Sequence, residues 1–383
     1  MGFFTPPRVA FGPGAIEWLA SLPGDQALLI VEPGTAASPG AVALREQRER
    51  IGKRTEVLEV PALDLGGATR AGTAARESGA DLLVGWGGEE LLDVTKVASA
   101  LHSSPSLDPE EITPLVDIPP GPALTKVLVP STIGPGNEMS WSAMFRKDGD
   151  GPVRELTHRS LAADWVLLDP LLSRSQAPAA VALGAADALS HAFESLSSEW
   201  SDAFSEALAK QAVEILFERA PRLLRPDPPE DLREQLLLAS GLAGLAQAHA
   251  QMGLGHALAH ALAPRFGLPH GVVAAVLLPS VLEFTYLAAR EKYRQLGRWL
   301  GEGAVRSGPE IAGRVRELWG VLGIPKDLSK VIPISREGFE AALPPVIERA
   351  ERFTGVVASG RVPSSAELAR LVLCAWDGRP VDF

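Results

Sequence analysis

The stretch Gly255-His-Ala-Leu-Ala-His-Ala-Leu-Ala-Pro-Arg-Phe-Gly-Leu-Pro-His-Gly271 contains three of the chain's seven histidines. His256 and His260 are four residues apart, so a helix would point both imidazoles from one face. A proline and then a glycine–proline pair predict the end of that helix, and His270 follows just beyond the turn. Two imidazoles on a helix and a third after a turn can bind a divalent metal ion. The alternative is that each histidine is buried in the core and bonded to backbone carbonyls.

A second polar pair with helical spacing occurs in Asp187-Ala-Leu-Ser-His191. Together with His256 and His270 it supplies one carboxylate and three imidazoles, a ligand set that suits Fe²⁺ or Zn²⁺. A buried Asp–His hydrogen bond would explain this pair alone, but two such pairs in one helical region favour a metal site. Metallopeptidases with two histidines at this spacing have a glutamate directly after the first one. Here Ala257 follows His256, so a peptidase is disfavoured.

The first half of the chain alternates short apolar runs with helical patterns. The predicted strands span residues 27–31, 55–60, 81–85, 127–130 and 165–169, and all but the second are mainly apolar. Strands that alternate with helices predict a doubly wound, mainly parallel sheet. From about residue 178 the pattern becomes almost wholly helical, with one long helix predicted over 229–263. We therefore predict an α/β dinucleotide-binding domain over 1–176 and an all-α metal-binding domain over 177–383.

Two loops rich in glycine follow strands of the predicted sheet. Gly85-Trp-Gly-Gly-Glu-Glu-Leu-Leu-Asp-Val-Thr-Lys96 leads from the third strand into a helix, and Pro130-Ser-Thr-Ile-Gly-Pro-Gly-Asn-Glu138 follows the fourth. A glycine turn at a helix N-terminus offers N–H groups to phosphate, and ligands of such sheets bind at the carboxyl ends of the strands. A tight turn that requires glycine explains the first loop equally well. Glu32, after the first long strand, could accept ribose hydroxyls and would repel a 2′-phosphate, which favours NAD over NADP.

Composition excludes several classes of protein. The formal charge of −11 disfavours nucleic acid as a partner. No uncharged apolar run reaches 18 residues, so no transmembrane helix is expected. The single cysteine, Cys374, and an N-terminus without a signal-like segment are typical of a cytoplasmic protein. One asparagine and 32 prolines are a thermophile-like bias.

Taken together, these motifs resemble the iron-containing (group III) alcohol dehydrogenase family, in order and over nearly the whole chain. Gly87-Gly88-x4-Asp93-x2-Lys96 is similar to the family's GGGSxxDxxK, and residues 130–138 are similar to its PTTxGTGSE. Residues 187–191 are similar to its DAxxH, and residues 256–271 to its HxxxHxxxxxxxxxPHG. The resemblance implies an α/β cofactor domain, an all-helical metal domain, and a homodimer or larger homo-oligomer.

The resemblance also implies roles for individual residues. The implied metal ligands are Asp187, His191, His256 and His270, and His260 matches the histidine that lines the site without binding the ion. The implied cofactor residues are Gly87, Gly88, Asp93, Ser131 and Thr132. Glu89 and Glu90 replace a glycine and a serine of the family's loop. Two carboxylates beside a diphosphate repel it, which predicts weaker cofactor binding unless they point to solvent.

The leading hypothesis is reversible hydride transfer between a small primary alcohol or aldehyde and a nicotinamide cofactor, NAD rather than NADP. The metal, Fe²⁺ or Zn²⁺, would act as a Lewis acid, and His260 would pass the proton to solvent. One alternative is a relative of the same fold with maleylacetate-reductase-like, glycerol-phosphate-dehydrogenase-like or dehydroquinate-synthase-like chemistry. Another is a metal-binding protein whose cofactor site is impaired by Glu89 and Glu90.

Overall fold

A computed structural model describes residues 6–119, 121–147, 153–296 and 307–383. The chain forms two compact units. The first contains the described residues up to 132 together with 137–175, and the second contains 133–136 and 176–383. This division lies one residue from the predicted boundary after residue 176. The sequence pattern gives no sign that residues 133–136 belong with the helical unit.

The first unit is built on a parallel sheet. Its strands are β1 (Arg8–Phe11), β2 (Gln26–Val31), β3 (Arg54–Glu59), β4 (Leu82–Gly87), β5 (Thr125–Pro130), β6 (Ser142–Arg146), β7 (Val153–Thr157) and β8 (Trp165–Leu168). Six of them form one sheet in the order β1-β8-β5-β4-β2-β3, in which every pair is parallel. The predicted parallel sheet is confirmed, and its five predicted strands are β2, β3, β4, β5 and β8. The antiparallel hairpin of β6 and β7 is an addition.

Helices cover both faces of this sheet. They are α1 (Trp18–Ser21), α2 (Pro39–Arg50), α3 (Leu65–Glu77) and α4 (Glu89–Ser103). Successive residues of β2 point to opposite faces. Leu28 and Ile30 join an apolar cluster with α3 and α4, whereas Leu29 and Val31 join one with α1 and α2. A strand buried on both faces explains why the sequence of β2 is a continuous apolar run.

The second unit is helical throughout its described residues. Its helices are α5 (Pro178–Ser197), α6 (Ala203–Arg219), α7 (Leu232–Ala250), α8 (Leu254–Leu262), α9 (His270–Gln295), α10 (Gly308–Leu322), α11 (Arg336–Ala350), α12 (Thr354–Ala358) and α13 (Ser365–Asp377). The prediction of an all-helical second half is confirmed. Helix α5 packs against α6, α7 and α9, so it lies at the centre of the unit.

The single helix predicted over 229–263 is wrong, because the chain breaks between α7 and α8. Gln251 has a φ of 66°, a left-handed conformation that is uncommon for a residue with a side chain. Gly253 is extended and forms the N-cap of α8. Helical hydrogen bonds therefore stop at Ala250 and restart at Leu254, which sets α8 on a new axis from the one α7 follows.

Helix α9 is long and apolar enough to cross a membrane if only length and composition are considered. Within the protein, 78% of its most apolar window is buried. It packs against α5, α8, α10 and α13. Its apolar sequence therefore serves the interior of the helical unit.

Glu138 lies in a 3₁₀ turn after β5 and is only 3% exposed. Burial raises the pKa of its carboxyl to about 7, against the opposing effects of its backbone hydrogen bond and Lys96. A carboxyl with a raised folded pKa contributes stability that is fully present below its unfolded pKa of 4.5 and is lost as the pH rises through about 7. The fold therefore bears the cost of a buried charge at this position above neutral pH.

We expect Glu138→Gln to stabilise the α/β unit relative to the parent chain more at about pH 8 than at about pH 5, by roughly 1–3 kcal/mol. Urea unfolding of both proteins at the two pH values measures this difference. The exposed Glu111 supplies the control Glu111→Gln, which should show no pH-dependent gain. An equal effect of Glu138→Gln at both pH values would contradict the prediction.

Candidate metal centre and cofactor site

Three helix segments of the second unit place the predicted metal ligands. Asp187 and His191 are one turn apart on α5, and His256 is in the first turn of α8. A 3₁₀ turn after α8 ends at Gly267, which has a φ of 64°, and His270 is the first residue of α9. The proline and glycines that predict a break in this stretch therefore act as predicted, and they turn the chain so that His270 faces α5.

The predicted ligands lie close together. Potential ligand atoms of Asp187, His191 and His256 are all within 4.8 Å of one another, and the three residues are buried. The Asp187 carboxylate is shared: Oδ1 is 3.1 Å from His256 Nε2, and Oδ2 is 3.3 Å from His270 Nε2. A Cβ atom at Gly271 would come within 2.9 Å of Asp187 Oδ2. The glycine after His270 thus leaves room for the carboxylate.

The second ring nitrogen of His191 is held by the backbone. Its Nδ1 is 3.2 Å from the carbonyl oxygen of Pro135, so Nδ1–H donates and Nε2 is free to bind a metal. Pro135 belongs to the short segment 133–136, which approaches α5 through glycines. A Cβ atom at Gly134 would come within 2.2 Å of the Gly184 carbonyl oxygen, and one at Gly184 within 2.1 Å of the Ile133 carbonyl oxygen.

Without a metal, the cluster concentrates positive charge on one imidazole. Burial lowers the pKa of His256, but the Glu194 and Asp187 carboxylates overcome this and raise it to about 10. Burial, helped by His256, lowers the pKa of His191 to about 3. Although burial opposes it, hydrogen bonds from His256 and His270 hold the pKa of Asp187 well below its usual value. A metal ion bound among these side chains would replace the proton on His256 Nε2 as the positive partner of the buried Asp187 carboxylate.

The donor set fits a divalent transition-metal ion. A carboxylate oxygen and imidazole nitrogens are the ligands that Fe²⁺ and Zn²⁺ accept, and a ligand set that includes three imidazoles does not suit Mg²⁺ or Ca²⁺. The outer nitrogens of His191 and His256 both have acceptors, as metal-binding histidines ordinarily do. Asp187, His191 and His256 form a cluster whose donors fit such an ion, and His270 contacts the same carboxylate.

His260 lies beside this cluster. Its ring centroid is 4.7 Å from that of His270 and 6.2 Å from that of His256, and the residue is 4% exposed. Burial, followed by the influence of His270, lowers its pKa well below the usual value. The imidazole of His260 is therefore neutral at ordinary pH. The non-ligand role of His260 stays a prediction, because the three-residue cluster includes neither His260 nor His270.

The predicted diphosphate residues lie at the carboxyl end of β4. Gly87 is the last residue of that strand and Gly88 is the N-cap of the fifteen-residue α4. A Cβ atom at Gly87 would come within 2.5 Å of Leu91 Cδ2 and 3.1 Å of Leu91 Cβ, so a side chain there would crowd Leu91. At Gly88 the nearest atom would be Glu32 Oε1 at 3.4 Å, which is ordinary contact. Packing therefore does not require a glycine at position 88, and the turn lies at a helix N-terminus, where backbone N–H groups can receive a diphosphate.

Carboxylates surround this turn. Glu32 Oε1 accepts a hydrogen bond of 3.0 Å from the Gly88 N–H, so it occupies the donor that a diphosphate would use. Glu89 and Glu90 form the first turn of α4, and Glu90 is exposed. The charge of Glu90 is thus largely screened by solvent, whereas Glu32 competes directly with an incoming anion.

Asp93 and Lys96 are directed into the α/β unit and are 1% and 0% exposed. Lys96 Nζ donates to Asp93 Oδ1 at 2.9 Å and to the carbonyl oxygens of Asn137 and Ser142 at 2.8 and 2.7 Å. Asp93 Oδ2 accepts from the Met144 N–H at 2.8 Å. Both oxygens of Asp93 therefore have internal partners, and these contacts support a structural role for a residue predicted to contact the cofactor.

Ser131 and Thr132 follow β5 and are half-buried. The Ser131 N–H donates to the Gly87 carbonyl oxygen at 2.9 Å, which places the serine beside the glycine turn. This position is consistent with the predicted cofactor contact. The parallel pairing of β4 with β5 accounts for it, because the carboxyl ends of the two strands meet at one edge.

One residue of the metal region is missing from the predicted set. Glu194 lies on α5, one turn beyond His191, and is 3% exposed. Its carboxylate contacts the ring of His256. Its spacing from Asp187 and His191 puts the three polar side chains on one helix face, and this spacing is the signal that could have found it.

The family-wide sequence patterns match both halves of the chain. The pattern described as "Iron-containing alcohol dehydrogenase" matches residues 6–170, and "Fe-containing alcohol dehydrogenase family, C-terminal" matches residues 181–354. The probable alcohol dehydrogenase EutG of Escherichia coli is 32% identical over 67% of this chain and 64% of EutG. An alcohol dehydrogenase of Thermococcus barophilus is 30% identical over 72% of this chain and 71% of the relative.

Solved structures agree with these matches. The iron-containing alcohol dehydrogenase of Thermococcus thioreducens superposes with a TM-score of 0.87 at 25% identity, over 99% of this chain and 100% of that one. Maleylacetate reductase from Rhizobium sp. superposes with a TM-score of 0.80 at 21% identity, over 99% of both chains. The second likeness shows the fold alone.

A glycine turn at the N-terminus of α4 and a buried Asp/His cluster in the helical unit are features expected of a metal-dependent oxidoreductase that uses a dinucleotide. Because both of its halves match, the chain belongs to the iron-containing alcohol dehydrogenase family. It is accordingly an enzyme of the class that interconverts alcohols and aldehydes with a metal, and NAD(P) use is typical of this class.

We expect His191→Ala and His270→Ala each to weaken Fe²⁺ or Zn²⁺ binding by more than about 100-fold, because loss of a ligand costs more than loss of a ligand's hydrogen-bond partner. Competition with a chelator measures the affinity, and metal content after dialysis checks it. His158→Ala, in the other unit, is the control and should leave both values unchanged. Full metal content in either ligand variant would exclude that residue from the site.

Proposed function

We propose that this protein catalyses reversible hydride transfer between a small primary alcohol, or its aldehyde, and NAD, with a metal ion bound by Asp187, His191, His256 and His270. The observation that carries the proposal is the buried cluster of one carboxylate and several imidazoles within a few ångströms. When bound, the metal polarises the substrate oxygen and the nicotinamide accepts or donates hydride. The protein holds these groups and excludes water from them.

Each part of the cluster has a defined task in this proposal. The ligands neutralise and orient the metal, and the carbonyl of Pro135 keeps His191 Nε2 available. His260 takes the hydroxyl proton at a ring nitrogen when the alcohol is oxidised and returns it when the aldehyde is reduced. Its position supports that role, since its ring centroid is 4.7 Å from that of His270, whereas the burial that lowers its pKa opposes the uptake of a proton. We propose Fe²⁺ as the resident metal, as the family description suggests, although the ligand set serves Zn²⁺ equally.

The substrate proposal rests on relatives of several kinds. A 1-propanol dehydrogenase, PduQ of Citrobacter freundii, is 32% identical over 53% of this chain. The NADPH-dependent butanol dehydrogenase of Clostridium saccharobutylicum is 25% identical over the whole of both chains. Both names specify short alcohols, and the first specifies a primary one, which supports the same substrate class here. The second name also shows that NADP use occurs among the relatives.

NAD is proposed over NADP because of the carboxylate at the glycine turn. Glu32 lies against the Gly88 N–H, so a negative charge already stands where the cofactor enters. A 2′-phosphate would add two further negative charges nearby, whereas ribose hydroxyls could donate to the carboxylate. The same carboxylate favours one alternative, a metal-binding protein with an impaired cofactor site, since it must give way to a diphosphate.

The remaining proposals concern assembly and location. Within the described residues β1 pairs on one side only, and Val9, Phe11 and Trp18 beside it are 43%, 39% and 54% exposed. An unpaired strand edge with apolar side chains supports a homodimer or larger homo-oligomer. The single buried Cys374 supports a cytoplasmic location, and the net charge of −11 supports small molecules rather than nucleic acid as ligands.

We expect the Fe²⁺-loaded protein to oxidise 1-propanol and 1-butanol with NAD⁺, and the Zn²⁺-loaded protein to do so at a different rate. Absorbance of NADH in steady-state assays measures both reactions. Protein dialysed against a chelator is the control and should be inactive until metal returns. No turnover by the metal-loaded protein with either nicotinamide cofactor would exclude the proposed function.

We expect Glu32→Gln to tighten NADP⁺ binding about tenfold, since removal of one nearby charge is worth about 1.4 kcal/mol, and to change NAD⁺ binding less. Isothermal titration of the metal-loaded protein with each cofactor measures this. Glu77→Gln, which removes an exposed carboxylate at the C-terminal end of α3, is the control. An unchanged preference would separate Glu32 from cofactor selection, and undetectable NAD⁺ binding by the parent protein would support the metal-binding alternative.

A further inference from the structure

We propose that Glu194 is a positioning residue of the metal centre, whose carboxylate fixes the His256 ring with Nδ1 protonated and Nε2 turned toward Asp187. This inference rests on the proposed role of His256 as a metal ligand. It assigns to Glu194 a task that the four proposed ligands do not include. The hydrogen bonds, the burial of the carboxylate and the glycines around it support the proposal independently of one another.

The two oxygens of Glu194 hold two different groups of the same residue. Oε1 is 3.0 Å from His256 Nδ1, and Oε2 accepts the backbone N–H of His256 at 3.3 Å. One contact fixes the ring and the other fixes the start of α8. Two contacts to one residue define its orientation better than either contact alone, because rotation of the ring about its side-chain bonds would break the first.

The contacts also select the ring tautomer. A neutral imidazole has one proton, and an ionised carboxylate only accepts hydrogen bonds. A proton therefore stays on Nδ1, which faces Glu194, and Nε2, 3.1 Å from Asp187 Oδ1, is the nitrogen at which a bound metal would replace the proton shared with that carboxylate. The carbonyl of Pro135 makes the equivalent contact to His191. A carboxylate acceptor does this more strongly than a carbonyl and makes the bound nitrogen more basic.

The chain around α8 is shaped to receive this carboxylate. A Cβ atom at Gly253 would come within 2.0 Å of Glu194 Oε2, and one at Gly255 within 2.5 Å of Glu194 Oε1. Neither glycine has a positive φ, so backbone conformation does not require them. Room for Glu194 is the reason that these two positions lack side chains.

A carboxylate buried only for packing would have different consequences. Replacing it by a glutamine would then change stability but leave the metal affinity and the ligand geometry unchanged. A glutamine cannot satisfy both groups of His256, because its amide NH₂ would face either a ring N–H or a backbone N–H. Metal affinity and the spectrum of the metal centre therefore separate the two roles.

The first test compares Glu194→Gln with Glu283→Gln in Co²⁺-loaded protein. Glu283 is a matched control, since it is a buried glutamate of the same unit, bonded to Arg316 and to the Val381 N–H. We expect Glu194→Gln to weaken Co²⁺ binding by about 10–100-fold and to shift its visible absorption bands. Glu283→Gln should change neither, whatever it does to the unfolding midpoint.

The second test displaces Glu194 without replacing it. Gly255→Ala adds one methyl group against the carboxylate, whereas Gly313→Ala adds one to α10, where nothing lies within 4 Å. Only Gly255→Ala should weaken Co²⁺ binding and alter the spectrum. This variant keeps the proposal testable if Glu194→Gln does not fold.

Wild-type affinity and spectrum in both Glu194→Gln and Gly255→Ala would overturn the proposal. His256→Ala distinguishes the source of such a failure. If His256→Ala also binds Co²⁺ like the parent protein, the proposed ligand set is wrong. If His256→Ala loses binding while the two test variants keep it, the ligand set stands and Glu194 has no positioning role.

Discussion

A carboxylate buried among imidazoles is the constraint on which the helical unit depends. Asp187 is 4% exposed, and a charge removed from water to that extent costs several kcal/mol unless partners replace the water. Its partners are His256 on α8 and His270 at the start of α9. Three helix segments must therefore meet at one point, and the proposed metal ion would complete the compensation. The buried carboxylate destabilises the fold unless cationic or hydrogen-bonding partners surround it. The same carboxylate and its imidazole partners form a ligand set suited to a metal ion.

Glycines make this meeting of helices possible. Gly134 and Gly184 let the segment 133–136 reach α5, so that Pro135 can hold His191. Gly253 and Gly255 admit the Glu194 carboxylate, and Gly271 admits that of Asp187. In each case the missing side chain is replaced by a polar or backbone group of the site. The positions of the site residues thus depend on glycines that let backbone and carboxylate groups approach closely, and less on the packing of the apolar core.

The α/β unit handles its buried charges in another way. Lys96 and Asp93 neutralise each other in the interior and share Asn137 and neighbouring backbone groups. At the glycine turn, by contrast, Glu32 rests on the N–H group that would receive a diphosphate. The first arrangement is structural and needs no ligand. Under the proposed function, the second would tie cofactor binding to the movement of one carboxylate and would give Glu32 influence over which cofactor binds.

The sequence by itself determined the features that depend on residues close together in the chain, namely the positions of the strands and the helix faces that carry the polar pairs. Apolar runs predict the parallel strands, and i, i+4 spacing places Asp187 with His191 and His256 with His260. Only the tertiary structure decided which of these faces meet. It ended the helix predicted over 229–263 at Gln251, directed Asp93 inward and added Glu194 to the metal region. Spacing fixes the face of a helix on which a side chain lies, but the partner of that face comes from distant segments, which packing alone brings together.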